Sequence, residues 1–285
     1  MPRGTLFIVS TPIGNLEDIT LRGLRILKEA DLIAAEDTRQ TRKLLAHYGI
    51  SKPLVSYWGE REKSKSEEII TRLSGGQTVA LVSDAGTPGI SDPGHVLISR
   101  SLEEGIRVVP VPGPTALISA LTISGFTMDR FVFAGFLPAK GGQRKKSLQD
   151  LSLEEKTMVF YEAPHRVQDT LQDMAGIFGA RRAVLVREIT KIHEEAVRGD
   201  LDGIAREVRG RSVIGECVIV VEGRTRETVV DMEDALQELR GLMKKGLGRK
   251  EAARRVAGAY GMSRKELYDR SLEGDGEPRG KAGQD

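Results

Sequence analysis

Thr78-Val-Ala-Leu-Val-Ser-Asp-Ala-Gly-Thr-Pro-Gly-Ile-Ser-Asp-Pro-Gly94 reads as a buried strand running into a stiff loop. Val79 to Val82 is a short apolar run of the kind a sheet interior takes, and Ser83 and Asp84 end it. The loop then carries Gly86, Pro88, Gly89, Pro93 and Gly94. Its backbone N–H and C=O groups are used by neither sheet nor helix, so they must pair with water, side chains or a ligand. Glycine lets a flat ligand approach the main chain, and proline stiffens the loop so that binding requires little further ordering. Asp84 would stand at the carboxyl end of its strand, where open α/β sheets hold ligands. A purely structural role is also open: a crossover loop ending in a helix with Asp92 as N-cap and Pro93 at its first position.

Upstream, Leu6 to Val9 is a first strand, followed by the turn-rich Ser10-Thr-Pro-Ile-Gly-Asn-Leu-Glu-Asp18. A helix from about Thr20 carries an apolar stripe of Leu21, Leu24, Ile26 and Leu27. Strand, loop and helix in this order begin a βαβ unit. The loop has neither GxGxxG nor GxxxxGK[ST] spacing, so it is no dinucleotide fingerprint and no P-loop. The second strand, Asp31 to Asp37, ends in Glu36 and Asp37, with Thr38 and Arg39 next. These residues face the same crevice as Asp84. Capping of the following helix by Asp37 or Thr38 accounts for one acid, but not for Glu36 and Arg39 as well. Leu54 to Trp58 is a third strand, and Glu60 to Leu73 a charged surface helix ended by Gly75-Gly76.

Downstream lie a helix from Pro93 to about Glu104 and a strand, Arg107 to Val111, whose Pro110 marks a sheet edge or a strand end. Pro112-Gly-Pro-Thr115 leads into an apolar helix, Ala116 to Ile123, where Thr115 either caps or binds. The pattern restarts near Gly125, a domain boundary. Phe131 to Leu137 is a strand, and Pro138 to Lys146 a loop whose Lys140, Arg144, Lys145 and Lys146 suit a phosphate clamp. Met158 to Tyr161 runs into Glu162-Ala-Pro-His-Arg166, which gathers Glu162, His165 and Arg166 at another strand's carboxyl end. Pro164 there opens a helix through Leu171 and Met174. Ala183 to Ile189 is a strand, Thr190 to Glu195 a connection, Ile204 to Val208 a short helix, and Cys217 to Val221 the last strand.

From about Asp231 the pattern is helical, with Met232, Leu236, Leu239 and Met243 on one face. Gly246 and Gly248 interrupt it, Ala252 to Tyr260 resumes it, and Gly261-Met-Ser263 precedes a third helix with Leu267. Arg240 to Lys265 holds nine Lys or Arg residues against one acid, Glu251, the footprint a nucleic-acid partner needs. This makes a small helix-turn-helix-like appendage. Gly274 to Asp285 has the composition of a disordered tail. The expected division is 1–120 and 121–225 as two α/β domains, 226–273 as the appendage and 274–285 as the tail.

Composition agrees with this plan. The 285 residues are 39% hydrophobic and 29% charged, enough for two α/β domains, and the net charge of +2 is uninformative. One cysteine, Cys217, sits in an apolar run, where a buried, inert thiol is expected; a reducing cytosol suits such usage. The run Leu6 to Val9 is too short for a signal sequence or a membrane span, so a cytoplasmic protein is expected. His47, His95, His165 and His193 share no metal-ligand spacing, and no GxSxG elbow occurs. Two α/β halves with several Gly/Pro loops and no P-loop suit a neutral or zwitterionic cofactor held by the main chain.

Seven motifs then resemble one family in order. They are Ser10 to Asp18, Glu36-Asp-Thr-Arg39, Ser83 to Gly94, Pro112-Gly-Pro-Thr115, Gly135-Phe-Leu-Pro138, Phe160-Tyr-Glu-Ala-Pro-His-Arg166 and Glu188-Ile-Thr-Lys-Ile-His-Glu-Glu195. The family is that of the small-subunit ribosomal RNA methyltransferases within the tetrapyrrole methylase superfamily, and the resemblance covers the chain to about Gly223. The helical appendage resembles the helix-turn-helix domain the family often carries. The resemblance implies an α/β fold with S-adenosylmethionine (SAM) in the cleft between two α/β domains, usually in a homodimer. It implies 2′-O-methylation of the ribose of a decoding-region cytidine in 16S ribosomal RNA, within the small ribosomal subunit. Carried over by position, cofactor contacts fall on Asp84, Thr87, Thr115 and Ala116, and on Leu137 and Glu162, these last largely through main chain. The family's first loop is richer in glycine than Thr11-Pro-Ile-Gly14, so substrate contact is expected there.

Methyl transfer to a neutral oxygen asks for alignment and for a base. Asp37 is the first choice as base and Glu36 the alternative; Arg39 and Arg166 would hold phosphates or the cytosine edge, and His165 would assist. Lys140, Arg144, Arg249, Lys250, Arg254 and Arg255 are expected on the RNA backbone. Rival readings are a small-molecule tetrapyrrole methylase, which needs no basic appendage; a non-catalytic RNA assembly factor, which would tolerate loss of Asp84; and a sugar-nucleotide transferase, which a missing DxD-like pair disfavours.

Overall fold

The computed structural model describes residues 3–59, 62–224, 232–260 and 262–273. They fall into two compact units divided between Arg224 and Thr225. The first begins with a five-stranded, all-parallel sheet of β1 (Thr5–Val9), β2 (Leu32–Ala35), β3 (Leu54–Ser56), β4 (Val79–Val82) and β5 (Arg107–Val111) in the order β3-β2-β4-β1-β5. β2 and β4 are buried at every residue, which is why they read as continuous apolar runs. Their alternate side chains feed two cores, one around Leu6, Tyr57, Ile69 and Leu81, the other around Val9, Leu27, Ile33 and Val82. Pro110 lies on the edge strand β5, where its missing N–H costs no ladder bond.

The crossover helices are α1 (Leu21–Glu29), α2 (Thr38–His47), α3 (Glu62–Ser74), α4 (His95–Glu103) and α5 (Ala116–Ser124). Thr20 caps α1 by accepting from Gly23 N at 3.0 Å, and Asp37 caps α2 by accepting from Arg39 N at 2.8 Å. α4 starts later than expected, with Gly94 at the cap in place of Asp92. Asp92 instead bonds the Ser83 hydroxyl.

The second sheet runs β6 (Phe131–Phe136), β7 (Thr157–Glu162), β10 (Cys217–Val221), β8 (Arg182–Arg187) and β9 (Glu195–Asp200), with only β6 and β7 parallel. One core of this half lies under α7 (Val167–Phe178) and α8 (Leu201–Glu207). The other face is covered by α5, whose Leu117, Ala120 and Leu121 pack with Val159, Val184, Val218 and Ile13 of the first loop. The expected division near residue 120 therefore falls inside a helix that joins the two sheets.

Two elements differ from expectation. Pro138 to Lys146 was expected as a loop, but α6 (Gly141–Asp150) is a helix, anchored by Leu148 and by a buried Arg144 paired with Asp173 of α7. Gly141-Gly142 and the polar run hide this helix from propensity. β9 starts at Glu195, where the expected connection ends, and covers residues that carried no expected element: it is a polar edge strand with Arg187 paired to Glu195 across the ladder, and edge strands are kept polar.

The second unit holds α9 (Met232–Lys244), α10 (Arg249–Tyr260) and α11 (Arg264–Glu273), packed around Ala235, Leu239, Ala252, Val256 and Leu267. The expected disordered tail lies outside the described residues. Among the described residues, no helix is long and apolar enough to cross a membrane.

Candidate active site

In the first sheet the connection after β2 leads outward to β3 and that after β4 leads the other way, past β1, to β5, so the chain diverges between the neighbouring strands β2 and β4. Such a switch point opens a crevice at the strands' carboxyl ends. The loops after β1 and β4 are stitched together: Thr11 and Gly86 exchange both backbone hydrogen bonds, at 2.8 and 3.0 Å. The Thr11 hydroxyl donates to Ser83 O at 3.0 Å, and the Ser10 and Thr87 hydroxyls lie 2.8 Å apart. Gly86 makes this possible with a φ of +79°, a left-handed conformation that a side chain would strain.

A cleft of about 370 Å³ follows from this geometry, a size that suits a small-molecule cofactor. Glu36, Asp84, Thr87 and Asp92 line it from the first sheet, Thr115 and Ala116 from the start of α5, and Tyr161, Glu162, Glu188, Lys191 and Glu216 from the second half. The ends of β2 and β4 interlock: Asp84 N donates to Glu36 Oε2 at 3.2 Å, and Asp37 N donates to Asp84 Oδ1 at 3.0 Å. Desolvation pushes the Glu36 carboxyl above its ordinary range, and the nearby Asp92, Asp84 and Asp37 charges add to it. Asp84 and Asp92 are raised too, in each case mainly by desolvation. Asp37 behaves oppositely. Hydrogen bonds from the Arg39 side chain and backbone hold it down at about 2.

Tyr161 joins the halves. Its hydroxyl accepts from Leu117 N at 3.1 Å and bonds the Thr115 side chain. Thr115 makes no capping bond of its own, so its place in the cleft wall is not explained by capping. Glu162 reaches the cleft but its side chain is wholly buried and committed: it accepts from Thr170 Oγ1 at 2.6 Å, from Ala163 N at 2.8 Å and from Arg166 Nη2 at 3.2 Å.

These contacts place several of the expected site residues. Arg166 was expected to hold phosphate or the base edge; it is spent on Glu162 and on Leu137 O, the latter at 2.7 Å. Leu137 itself is buried and absent from the cleft wall, which its neighbour Phe136 lines instead. Asp37 and Arg39 pair with each other at 2.7 Å, and neither lines the cleft. His165 is exposed and does not line the cleft.

Residues 5–205 match the family described as Tetrapyrrole (Corrin/Porphyrin) Methylases, and residues 230–275 match the RsmI C-terminal HTH domain. A Synechocystis protein named ribosomal RNA small subunit methyltransferase I is 46% identical over 273 residues, covering 95% of this chain and 98% of its own. A Pseudomonas aeruginosa protein of the same name is 44% identical over 282 residues, covering 97% and 99%. The chain belongs to the ribosomal RNA small subunit methyltransferase I family. S-adenosylmethionine is the cofactor of this family. The fold is also that of the uroporphyrin-III C-methyltransferase from Thermus thermophilus complexed with S-adenosylhomocysteine, at a TM-score of 0.55 and 19% identity over 77% of this chain and 97% of that one.

In this family member the RNA-facing expectations divide by burial. Arg144 is buried against Asp173 and is a structural residue. Arg249 donates to Ser271 O at 3.1 Å, tying α10 to α11. Lys140, Lys250, Arg254 and Arg255 are exposed, the two arginines paired with Glu251 at 2.7 and 3.4 Å. Sequence reasoning missed Asp92, Tyr161, Glu188, Lys191 and Glu216 as cleft residues. The signal available for Glu188 and Lys191 was their place in the motif Glu188 to Glu195. Glu216 stood one residue before Cys217, at the start of an antiparallel strand whose neighbour β7 ends at the cleft. Burial pushes the Cys217 thiol up to about 12, which makes it the inert thiol expected.

Proposed function

We propose that this protein transfers a methyl group from S-adenosylmethionine to the ribose 2′-oxygen of a decoding-region cytidine in 16S ribosomal RNA, within the small subunit, in the cytoplasm. The observation that carries the cofactor half of this reading is the acidic wall of Glu36, Asp84 and Asp92 with raised pKa values. The cofactor bears a sulfonium and an ammonium, and such a wall favours cations and repels phosphates. The acceptor half is supported by the relatives' names and by the basic stretch Arg240 to Lys265.

When bound, S-adenosylmethionine supplies an electrophilic methyl group. Asp84, Thr87, Thr115 and Ala116 would hold it, with main-chain groups of the stitched loops and Glu162. Tyr161 would hold α5 in register with the second sheet, keeping the cleft closed to water. Glu36 would take the 2′-hydroxyl proton, its raised pKa making it the better base of the pair. Asp37 would position Asp84 through its backbone N–H.

The test is transfer of labelled methyl to small subunits lacking the modification, followed by nuclease digestion and nucleoside identification, with uroporphyrinogen and RNA-free controls. Label in a 2′-O-methylated cytidine is expected; label on the tetrapyrrole would overturn the acceptor.

Cofactor binding is expected to release protons. A bound cation favours ionised carboxylates, so affinity should rise with pH from the ordinary carboxylate range through the raised values. Calorimetry in buffers of different ionisation enthalpy reads this directly, and S-adenosylhomocysteine, without the sulfonium charge, should show a weaker dependence. In the free protein the same groups bind protons more tightly folded than unfolded, so their contribution to stability falls as pH rises through that window.

Exchanging Lys250, Arg254 and Arg255 together for glutamine is expected to weaken RNA binding and to reduce the slope of log K against log salt by roughly 2 to 3. An unchanged slope would remove these residues from the RNA surface. The homodimer belongs to the same proposal: Ile118 and Ile123 on α5 and Phe131 and Phe136 on edge strand β6 are exposed apolar groups that an assembly would cover. Sedimentation equilibrium checks it, and a monomer at micromolar concentration would refute it.

A further inference from the structure

A second cavity, of about 460 Å³, lies beside the cofactor cleft. The two share Ile13, Asp84, Ala85, Lys191 and Glu216, so they are adjoining chambers with a common wall. The wall of the second chamber that is its own comes from the first loop, at Thr11, Pro12, Gly14 and Leu16, and from one side of α2, at Gln40, Lys43 and Leu44.

The two chambers differ in charge. Glu36, Asp92, Glu162 and Glu188 line the first and not the second, while Lys43 lines the second and not the first. Lys191 stands on the common wall. A cationic ligand is therefore favoured in the first chamber, whereas in the second Lys43 and Lys191 balance Asp84 and Glu216. Along α2 the Lys43 ammonium, which donates to Gln40 Oε1 at 3.2 Å, and the Gln40 amide N–H groups face a ligand rich in acceptor oxygens.

Lys191 is held in place by its surroundings. A Cβ at Gly14 would lie 2.5 Å from Lys191 Cγ, 2.8 Å from Thr190 Oγ1 and 2.9 Å from Ile189 O, so only glycine lets this loop lie against the first one. Glu188 and Thr190 adopt left-handed φ values of 51° and 68°, uncommon for residues with side chains. Lys191 Nζ donates to Glu188 Oε1 at 2.7 Å, which fixes the ammonium at the boundary between the chambers.

We propose that the second chamber seats the acceptor nucleotide, turned out of its strand as one phosphate, ribose and base unit, with Lys43 and Gln40 gripping it and Lys191 positioning it. This rests on the methyl-transfer reading above. A reacting ribose has to be reached from the cofactor side while its phosphate remains attached to a strand outside. A chamber sharing a wall with the cleft, with exposed Lys43 and Gln40 along α2, meets both conditions. It also gives the divergent Thr11-Pro-Ile-Gly14 loop a role in substrate rather than cofactor binding.

The test uses the full chain carrying Lys43→Ala, Gln40→Ala or Leu44→Trp, the last to fill the chamber. Binding of S-adenosylhomocysteine is measured by calorimetry, and kcat and KM are measured for methyl transfer to unmodified small subunits. Cofactor affinity is expected to stay within about twofold of the parent, while Lys43→Ala raises the acceptor KM roughly tenfold and leaves kcat nearly unchanged. Leu44→Trp should abolish transfer at saturating cofactor. Unchanged acceptor KM in both Lys43→Ala and Gln40→Ala would overturn the proposal, as would a parallel loss of cofactor affinity in all three. Lys43 and Gln40 are exposed, so these variants stay informative should Leu44→Trp fail to fold. If the parent itself labels no RNA, the methyl-transfer reading has failed and not the placement of the nucleotide.

Discussion

Arg166→Ala is expected to lower the melting temperature of the cofactor-free protein by roughly 6 to 12 °C, from a loss of about 3 kcal/mol. Glu162 is fully buried, and Arg166, 21% exposed, is its charge partner: Nε is 3.1 Å from Oε1, and Nη2 donates to Oε2 at 3.2 Å. Removing one member of such a pair leaves a carboxylate in a dry place. The range for breaking a buried pair is about 3–5 kcal/mol, and the exposure of Arg166 puts the expectation at its lower end. Thr170 and Ala163 N–H continue to serve the carboxylate, which works in the same direction. The lost bond to Leu137 O loosens the link between β6 and α7 as well. Thermal unfolding followed by circular dichroism measures the change. A shift below about 2 °C together with weakened RNA binding would return Arg166 to the substrate surface that its sequence context suggested.

Glu36→Gln is expected to reduce the single-turnover rate by about 10² to 10⁴, the usual contribution of a positioned base, while Asp37→Asn should have a much smaller effect. The two acids are neighbours in sequence but not in environment. Glu36 lines the cleft with its pKa raised by desolvation; Asp37 lies outside it, held at about 2 by Arg39. The parent rate should rise with pH as Glu36 ionises, above the ordinary carboxylate range, and then level, and Glu36→Gln should lose that limb. The glutamine retains an oxygen that can accept from Asp84 N, so a merely structural role for Glu36 would leave the rate close to the parent's. The reverse ranking, with Asp37→Asn the more damaging, would restore Asp37 as the base.

Much of the framework was legible from local pattern. β2, β4 and β10 are short apolar runs because both faces of a central strand are buried, and Pro110 marked an edge because a central ladder needs its N–H. Asp37 was readable as a cap because a cap bond closes within three residues. The Gly/Pro loops at strand ends located the cleft, and the ordered set of motifs indicated the family. α6 and β9 escaped because their own residues are weak formers; α6 is held by Leu148 and Arg144 packed against α7, and β9 by its ladder with β8.

The roles of the charged residues were a different matter. Arg144 and Arg166 looked as available to phosphate as Lys140, yet Arg144 meets Asp173 29 residues away, Arg166 turns back on Glu162, and Lys140 stays exposed. The sequence set Asp37 before Glu36 as a base, and could not show what separates the two environments, the enclosure that Asp84, 48 residues away, and Asp92 build around Glu36. The sequence by itself determined the α/β framework, the placing of its loops and the family, since apolar period, turn chemistry and capping act over a few residues. Tertiary structure alone decided which charges are buried and paired and which face the cleft, because desolvation and ion pairing depend on partners that only folding brings within a few ångströms.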